Sequence, residues 1–269
     1  MHHAVIYGEA ANCNKRRSME EQINISERIV RILEEHESEG DFVLQTLSFV
    51  RRVLGPESFG EKHVAGSETK RYDMQYRYDH TLRVADIGRE IARAEGLPEE
   101  ALMMACLLHD VGYPECRSFE ELGKHPLIGA EIAKRFLKKI GYDAKMSESI
   151  CKAVLIHDCF PCRGEDASVL EKSVRDADDI DRADAMRICV RSYHDIGERP
   201  AWEIIEICRK RLAETEELKN RICGTETAKR LWLDNICLQE QFYRRILIQQ
   251  LRTIECREMC RKPFTGRDS

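Results

Sequence analysis

The stretch MACLLHDVGYPE, from Met104 to Glu115, places a histidine beside an aspartate at the end of an apolar run. An adjacent His and Asp are costly to bury unless hydrogen bonds or a metal ion compensate them. Their nitrogen and oxygen donors also suit divalent transition metals. The first question is therefore whether His109 and Asp110 are a hydrogen-bonded core pair or part of a metal site.

Three more histidines and an aspartate occupy comparable positions. His80 begins an apolar helical stripe, and His109 and His157 each end one. His125 stands at the mouth of a helix, and Asp178 lies on the apolar face of its segment. Burying these groups without partners would cost several kcal/mol for each charge. The spacing therefore favours a metal site over separate core residues.

The arrangement resembles the HD-domain superfamily of metal-dependent phosphohydrolases. Its members carry a histidine, then an adjacent His-Asp pair, then a distant aspartate on a bundle of helices, and many carry two further histidines in between. The matching motifs here are YDHTLRV, LLHDVG, KHPLIGAEIA, AVLIHD and DADDID, within about residues 76–195. The resemblance implies six metal ligands: His80, His109, Asp110, His125, His157 and Asp178.

The same resemblance implies one or two bound divalent ions, drawn from Mn, Fe, Co, Ni, Zn and Mg. Asp110 would bridge two ions, and a metal-bound hydroxide would attack phosphorus. Asp110, His125 and His157 are therefore catalytic candidates as well as ligands. The first ion would be held by His80, His109, Asp110 and Asp178, and the second by His125 and His157 with the bridging Asp110.

Attack on phosphorus also needs cationic groups that offset the developing negative charge. Arg83 lies one turn after His80, and Lys124 directly precedes His125. Both are candidate catalytic residues. Asp181 could orient a histidine ligand or pair with a nearby arginine.

The implied activity is hydrolysis of a nucleotide or another small phosphate ester, either monoester or diester. Tyr113 stands where the branch that cleaves cyclic dinucleotides has a lysine. The chain also lacks the GxxG loop of the RNA-binding module found in the RNA-cleaving branch. Two alternatives stay open: a di-iron HD-domain oxygenase, whose ligand order is the same, and a non-catalytic HD domain that senses a nucleotide.

The elements that carry these residues are predicted to be helical nearly throughout, because apolar residues recur at spacings of three and four. The predicted fold class is all-α, an HD-domain helical bundle with additional N- and C-terminal helices. Gly96 should end one helix and Ser147 should cap another. The stretch from Gly55 to Gln75 reads as a loop. The predicted helices cover 19–37, 41–54, 78–95, 98–109, 126–140, 147–157, 167–194, 200–222 and 226–258.

Three segments follow from this pattern, and together they are expected to form one compact domain. Residues 1–75 hold N-terminal helices and a loop that pack on the core, and residues 76–198 form the metal-binding helical core. Residues 199–269 form a C-terminal helical extension, which either packs on the core or makes a homodimer. Cys159 and Cys162 form a CxxC that would suit zinc or a redox pair, although two free thiols in a loop are the commoner case.

Charge and hydropathy restrict the partners. The 43 basic and 48 acidic residues give a net charge of −5, which argues against a general nucleic-acid or anionic-membrane binder. No apolar run is long enough to span a bilayer, and the N-terminus lacks the order of a secretion signal. The 12 cysteines then indicate reduced thiols and a cytoplasmic location, with a small phosphorylated substrate as the expected partner.

Overall fold

The chain is helical in nearly all of the part that the structure describes. This computed structural model describes residues 25–36, 40–55, 67–116, 121–158 and 166–261. No strand is found within these ranges, and the predicted all-α fold class is confirmed. The helices of the described ranges are α1 Glu27–Glu35, α2 Phe42–Leu54, α3 Ser67–Glu95, α4 Glu99–Leu108, α5 His125–Lys139, α6 Ala144–Ile156, α7 Val169–Ala183, α8 Ala185–Asp195, α9 Ala201–Leu218 and α10 Glu226–Arg261. Two 3-10 turns, Tyr113–Glu115 and Leu122–Lys124, lie between α4 and α5.

The chain divides into two compact units. Of the described residues, the first contains those up to Asp178 together with Cys223–Ala228, and the second contains Asp179–Ile222 and those from Lys229 to Arg261. Helix α7 therefore contributes to both units, and all six predicted metal ligands belong to the first. The segment boundaries expected from the sequence, after residues 75 and 198, stay predictions.

Helix α4 is the centre of the first unit. It packs against α2, α3 and α6, and seven of its ten residues are buried. A helix that is apolar on all sides is one that the fold surrounds, which explains why the run before His109 has no polar face. The helix ends at Leu108, so that the His-Asp pair follows directly from the most buried element of the unit.

Some helix boundaries differ from those predicted because side-chain caps decide them. Helix α6 begins at Ala144 because the Asp143 carboxylate accepts a hydrogen bond from the amide of Met146, at 2.8 Å. The predicted cap at Ser147 is therefore wrong. Residues 167–194 are not one helix, since the side chain of Asp184 accepts from the next amide and starts α8 there.

Helix α3 starts earlier than predicted and ends where predicted. Helix α3 begins at Ser67, so the predicted loop over 55–75 is wrong for its last nine positions, and residues 56–66 lie outside the described residues. Gly96 ends α3 as predicted, with a φ of 66° that favours glycine. Cys159 and Cys162 also lie outside the described residues.

The second unit is built on α8, α9 and α10, with the last turn of α7. Tyr243 on α10 is buried in its apolar core. Asn235 and Gln239, on the same helix, donate side-chain hydrogen bonds to the carbonyls of Ile180 and Ala183, at 2.9 and 2.8 Å. These carbonyls belong to the end of α7, where backbone acceptors lack helical partners. The contacts therefore fasten α10 to the end of α7.

Within the described ranges, no helix combines the length and the apolar composition needed to cross a bilayer. The nine cysteines in those ranges form no disulfide, and the reduced state expected from the sequence stays a prediction. Homodimer formation through the C-terminal helices stays a prediction.

Candidate metal centre

The six predicted ligands lie together in the first unit. All are buried, with between 0% and 7% of each residue exposed. Their donor atoms form three overlapping groups, and within each group the atoms lie no more than 4.8 Å apart. The groups are His80 with His109 and Asp110, His109 with His157 and Asp178, and Asp110 with His125 and His157.

Three of the four histidines lie at helix ends. His109 directly follows α4, His157 directly follows α6, and His125 is the first residue of α5. His80 and Asp178 lie within α3 and α7. Groups carried by packed helices are held more precisely than groups on loops, so the cluster has a rigid frame.

Backbone carbonyls fix the tautomers of three of the histidines. Nδ1 of His109, His125 and His157 lies 2.7, 2.6 and 2.7 Å from the carbonyl oxygen of the residue three positions earlier. A carbonyl can only accept, so each Nδ1 donates its hydrogen. In the neutral rings Nε2 then carries a lone pair that faces the cluster, which is the form that ligates metals.

These lone pairs face other acceptors. Nε2 of His125 lies 3.2 Å from Nε2 of His157 and 3.2 Å from Oδ1 of Asp110. Nε2 of His109 is buried and has no hydrogen-bond partner among the described residues, although Oδ2 of Asp110 lies 3.5 Å away. Acceptors packed against acceptors repel one another unless a proton or a cation lies between them. The donor set therefore fits a divalent ion.

The two oxygens of Asp110 face opposite halves of the cluster. Oδ1 lies 3.2 Å from Nε2 of His125 and 3.8 Å from Nε2 of His157. Oδ2 lies near His109 and accepts a hydrogen bond from Nη1 of Arg77 at 2.7 Å. A carboxylate in this orientation can serve ions on both sides.

Asp178 closes the other end of the cluster. Its Oδ1 lies 3.1 Å from Nε2 of His80 and 3.9 Å from Nε2 of His109. The rings of His80 and His109 meet edge to face, with centroids 5.3 Å apart. The distant aspartate of the sequence pattern is therefore within a few ångströms of the two histidines with which it was grouped.

Burial and charge perturb the titration of these groups in the metal-free chain. Burial lowers the pKa of His109 to about 4. Burial alone would raise the pKa of Asp110, but His109 and Arg77 hold it well below its usual range. Burial alone would lower the pKa of His157, yet the carboxylate of Asp110, whose Oδ1 lies 3.8 Å from Nε2, raises it. The cluster thus keeps Asp110 ionised and His109 neutral, which are the charge states of metal ligands.

Arg77 is a site residue that was not predicted from the sequence. It donates to Asp110, and its guanidinium lies 3.7 Å from the ring centroid of Tyr113. Burial alone would lower the pKa of Arg77, but Asp110 and Tyr113 raise it. One sequence feature points to it: Arg77 precedes His80 by three residues, so both side chains lie on one face of α3.

The two predicted cationic groups are neighbours of His80 and His125 in the sequence. Arg83 is half-buried on α3, with its guanidinium 6.0 Å from the ring centroid of Tyr76. Lys124 is exposed at the end of the 3-10 turn that precedes His125. Asp181 is buried but belongs to the second unit. Catalytic roles for Arg83 and Lys124 stay predictions.

Gly112 brings the His-Asp pair against α5. A Cβ atom at this position would lie 2.2 Å from the carbonyl oxygen of His125 and 2.5 Å from the amide nitrogen of Gly129. No side chain can be accommodated at these distances, so the close approach requires glycine. The contact holds the backbone that follows Asp110 against the backbone of α5, which begins at His125.

The segment that carries these residues is similar to known proteins. The family model described as HD domain matches residues 77–186. Ribonuclease Y of Mycoplasma capricolum subsp. capricolum is 42% identical over 57 residues, which are 21% of this chain and 11% of that protein. The putative phosphohydrolase YueE of Bacillus subtilis is 32% identical over 87 residues, which are 29% of this chain and 49% of that protein. The chain therefore spans less than half of each of these two relatives.

One solved structure is similar over most of the chain. It is described as a predicted HD superfamily hydrolase from an uncultured Thermotogales bacterium. The two share a TM-score of 0.50 and 25% sequence identity, over 77% of this chain and 91% of that one. The match covers far more than the motif-bearing segment.

Proposed function

We propose that this chain, which belongs to the HD-domain superfamily through residues 77–186, is a divalent-metal-dependent phosphohydrolase that acts on a phosphate ester. One observation carries the proposal. Nε2 of His109 is buried, faces Asp110 and has no hydrogen-bond partner among the described residues. A bound cation removes the cost of that arrangement. The similarity to a putative phosphohydrolase and to an HD superfamily hydrolase supports the proposal.

The chain offers ligands for two ions that share one carboxylate. Oδ2 of Asp110 would serve the half that includes His109, and Oδ1 would serve the half that includes His125. When bound, divalent ions polarise phosphoryl oxygens and lower the pKa of a coordinated water, which provides a nucleophile near neutral pH. The proposed first set is His80, His109, Asp110 and Asp178, and the proposed second set is His125, His157 and Asp110.

Neighbouring groups of the chain set the orientation and the tautomer of the histidine ligands. The carbonyls of Cys106, Leu122 and Val154 hold three imidazoles in the tautomer with Nε2 free of hydrogen. Such outer partners fix ring orientation and raise ligand basicity. The residues of α4 nearest its end, from Met104 to Leu108, are all buried, and electrostatic interactions are stronger in such surroundings.

Arg83 and Lys124 are proposed to bind the phosphate oxygens of the substrate. Arg83 lies one turn after His80 on α3, and Lys124 directly precedes His125, so each cation is close in sequence to a proposed ligand. Positive charge at these points would stabilise the negative charge that develops on phosphorus. Arg77 is not assigned this role, because its guanidinium is engaged with Asp110 and Tyr113.

The proposed substrate is a small phosphate ester, with nucleotides as the first class to test. The net charge of −5 supports a small ligand over a long nucleic acid. One relative is a ribonuclease by name and another a phosphohydrolase, so diesters belong in the assay beside monoesters. The names of these relatives favour hydrolysis over the oxygenase alternative.

The test is a metal-dependent assay on matched esters. Purified metal-free chain is incubated with p-nitrophenyl phosphate, bis-p-nitrophenyl phosphate and a set of nucleotides, each with Mn²⁺, Co²⁺, Zn²⁺, Fe²⁺, Ni²⁺ or Mg²⁺. We expect release of nitrophenol or phosphate with at least one ion. Activity should be lost in Asp110→Ala and kept in Asp86→Asn, an exposed aspartate on α3. Oxygen consumption by the iron-loaded chain without any ester hydrolysis would contradict the proposal.

A further inference from the structure

We propose that Arg77 is a positioning residue that holds the Asp110 carboxylate as a bridge and thereby determines whether a second divalent ion binds. This inference rests on the proposed metal-dependent function. It assigns a role to a residue whose side chain would not itself ligate an ion. The relevant contacts converge on Asp110 and on the half of the cluster formed by His125 and His157.

The hydrogen bond from Arg77 fixes the rotation of the carboxylate. Nη1 of Arg77 lies 2.7 Å from Oδ2 of Asp110, and the exposed fraction of the Asp110 side chain is only 2%. Turning the carboxylate about its Cβ–Cγ bond would break this charge-assisted bond inside the protein, where it is strong. While the bond holds, Oδ1 stays directed at Nε2 of His125, 3.2 Å away.

Arg77 is itself held in place. Its guanidinium stacks on the ring of Tyr113 at 3.7 Å, and its backbone lies in α3 one turn before His80. The ring of Tyr113 in turn meets the ring of His125, with centroids 5.8 Å apart. Two paths of contact therefore join Arg77 to His125, one through Asp110 and one through Tyr113.

A different role would be for Arg77 to replace an ion by neutralising Asp110. The two roles make opposite predictions, because a replacement cation competes with metal whereas a positioning residue assists it. Each carboxylate oxygen has two lone pairs, so Oδ2 can accept from Arg77 and still ligate an ion beside His109. The position of Oδ1, which faces His125 and His157 and not Arg77, favours positioning.

The experiment titrates Mn²⁺ alone into the metal-free parent, Arg77→Gln, Arg77→Lys and Arg89→Gln, by calorimetry and elemental analysis. Arg89 is a matched control, since it is an exposed arginine on α3 that pairs with Asp86. We expect two ions in the parent and in Arg89→Gln. Arg77→Gln should bind the first ion normally and the second 10- to 100-fold more weakly, the usual loss when an outer partner is removed. Arg77→Lys, which keeps the charge but not the planar donor, should be intermediate.

Circular dichroism of each metal-free variant confirms that it is folded before titration, and Arg77→Lys decides the question if Arg77→Gln does not fold. Two ions bound by both Arg77 variants as tightly as by the parent, or more tightly, would overturn the inference alone. One ion in the parent would also overturn it, because no second ion would exist to be controlled, while metal dependence would stand. A parent that takes up no ion would remove the proposed function together with this inference.

Discussion

Nε2 of His125 and Nε2 of His157 lie 3.2 Å apart, although both rings direct Nδ1 at a backbone carbonyl. Two neutral imidazoles in this geometry present lone pairs to each other. Oδ1 of Asp110, 3.2 Å from the first and 3.8 Å from the second, adds a third acceptor. A cation among the three atoms converts repulsion into coordination, and we place the second ion of the proposed pair there.

Replacing His157 should therefore remove the second ion and leave the first. In His157→Ala we expect one ion per chain and a fall in kcat of about a thousandfold, because a metal ion contributes several kcal/mol of transition-state stabilisation. Metal content and steady-state kinetics on the same preparation measure both effects. His194→Ala is the control, since His194 is exposed in the second unit. Retention of two ions by His157→Ala would contradict the assignment.

Metal binding should stabilise the first unit. At a free ion concentration one hundred times Kd, a ligand that binds only the folded state adds about 2.7 kcal/mol. For a unit of this size that corresponds to a rise in Tm of about 5–10 °C, measured by calorimetry before and after chelation. Asp110→Ala should show no such rise. An equal rise in the variant would mean that the ions bind elsewhere on the chain.

Gly112 should tolerate no side chain. In Gly112→Ala the added carbon would overlap the carbonyl of His125 and the amide of Gly129, and the resulting displacement should cost about 3 kcal/mol or more. The comparison is Gly129→Ala, where the nearest atoms lie 3.3 Å away, so that the neighbours need to move by only a few tenths of an ångström and the loss should be smaller. Chemical denaturation measures both. Equal stability of the two variants would show that the close approach at Gly112 is not required.

Replacing Arg83 or Lys124 should weaken catalysis on the substrate without changing metal binding. We expect Arg83→Gln and Lys124→Gln to lower kcat/KM by about tenfold each, a loss typical of one charged contact to phosphate, with unchanged metal content. Lys138→Gln, an exposed lysine in the last turn of α5, is the control for loss of surface charge. Wild-type kinetics in both variants would remove these residues from the proposed site.

Much of the cluster was predictable, because its members are polar residues at positions where the apolar pattern of the sequence predicts burial. Histidine at the end of an apolar stripe, as at His109 and His157, marks a polar group that the fold carries inward, and the structure places the six predicted ligands side by side. Helices were predictable for the same reason, since apolar periodicity records which face is buried. The roles of the six residues as ligands stay a proposal.

Features that depend on individual caps or on contacts between distant residues were not predictable. Asp143 and Ser147 are both plausible caps in the sequence, and only the hydrogen bond to Met146 selects Asp143. Arg77 lies in the polar run YDMQYRYDH, where its charge gives no sign of burial. Its partner Asp110 is 33 residues away, so the contact depends on the packing of α3 against α4.

The most direct test of the central claim is a count of metal ions per chain. The parent and Asp110→Ala, both purified without chelator or affinity tag, are analysed for transition metals before and after incubation with Mn²⁺. We expect two ions in the loaded parent and loss of at least one in the variant, because Asp110 faces both halves of the cluster. No metal in either protein, before or after loading, would contradict it and return His109 and Asp110 to the role of a hydrogen-bonded core pair.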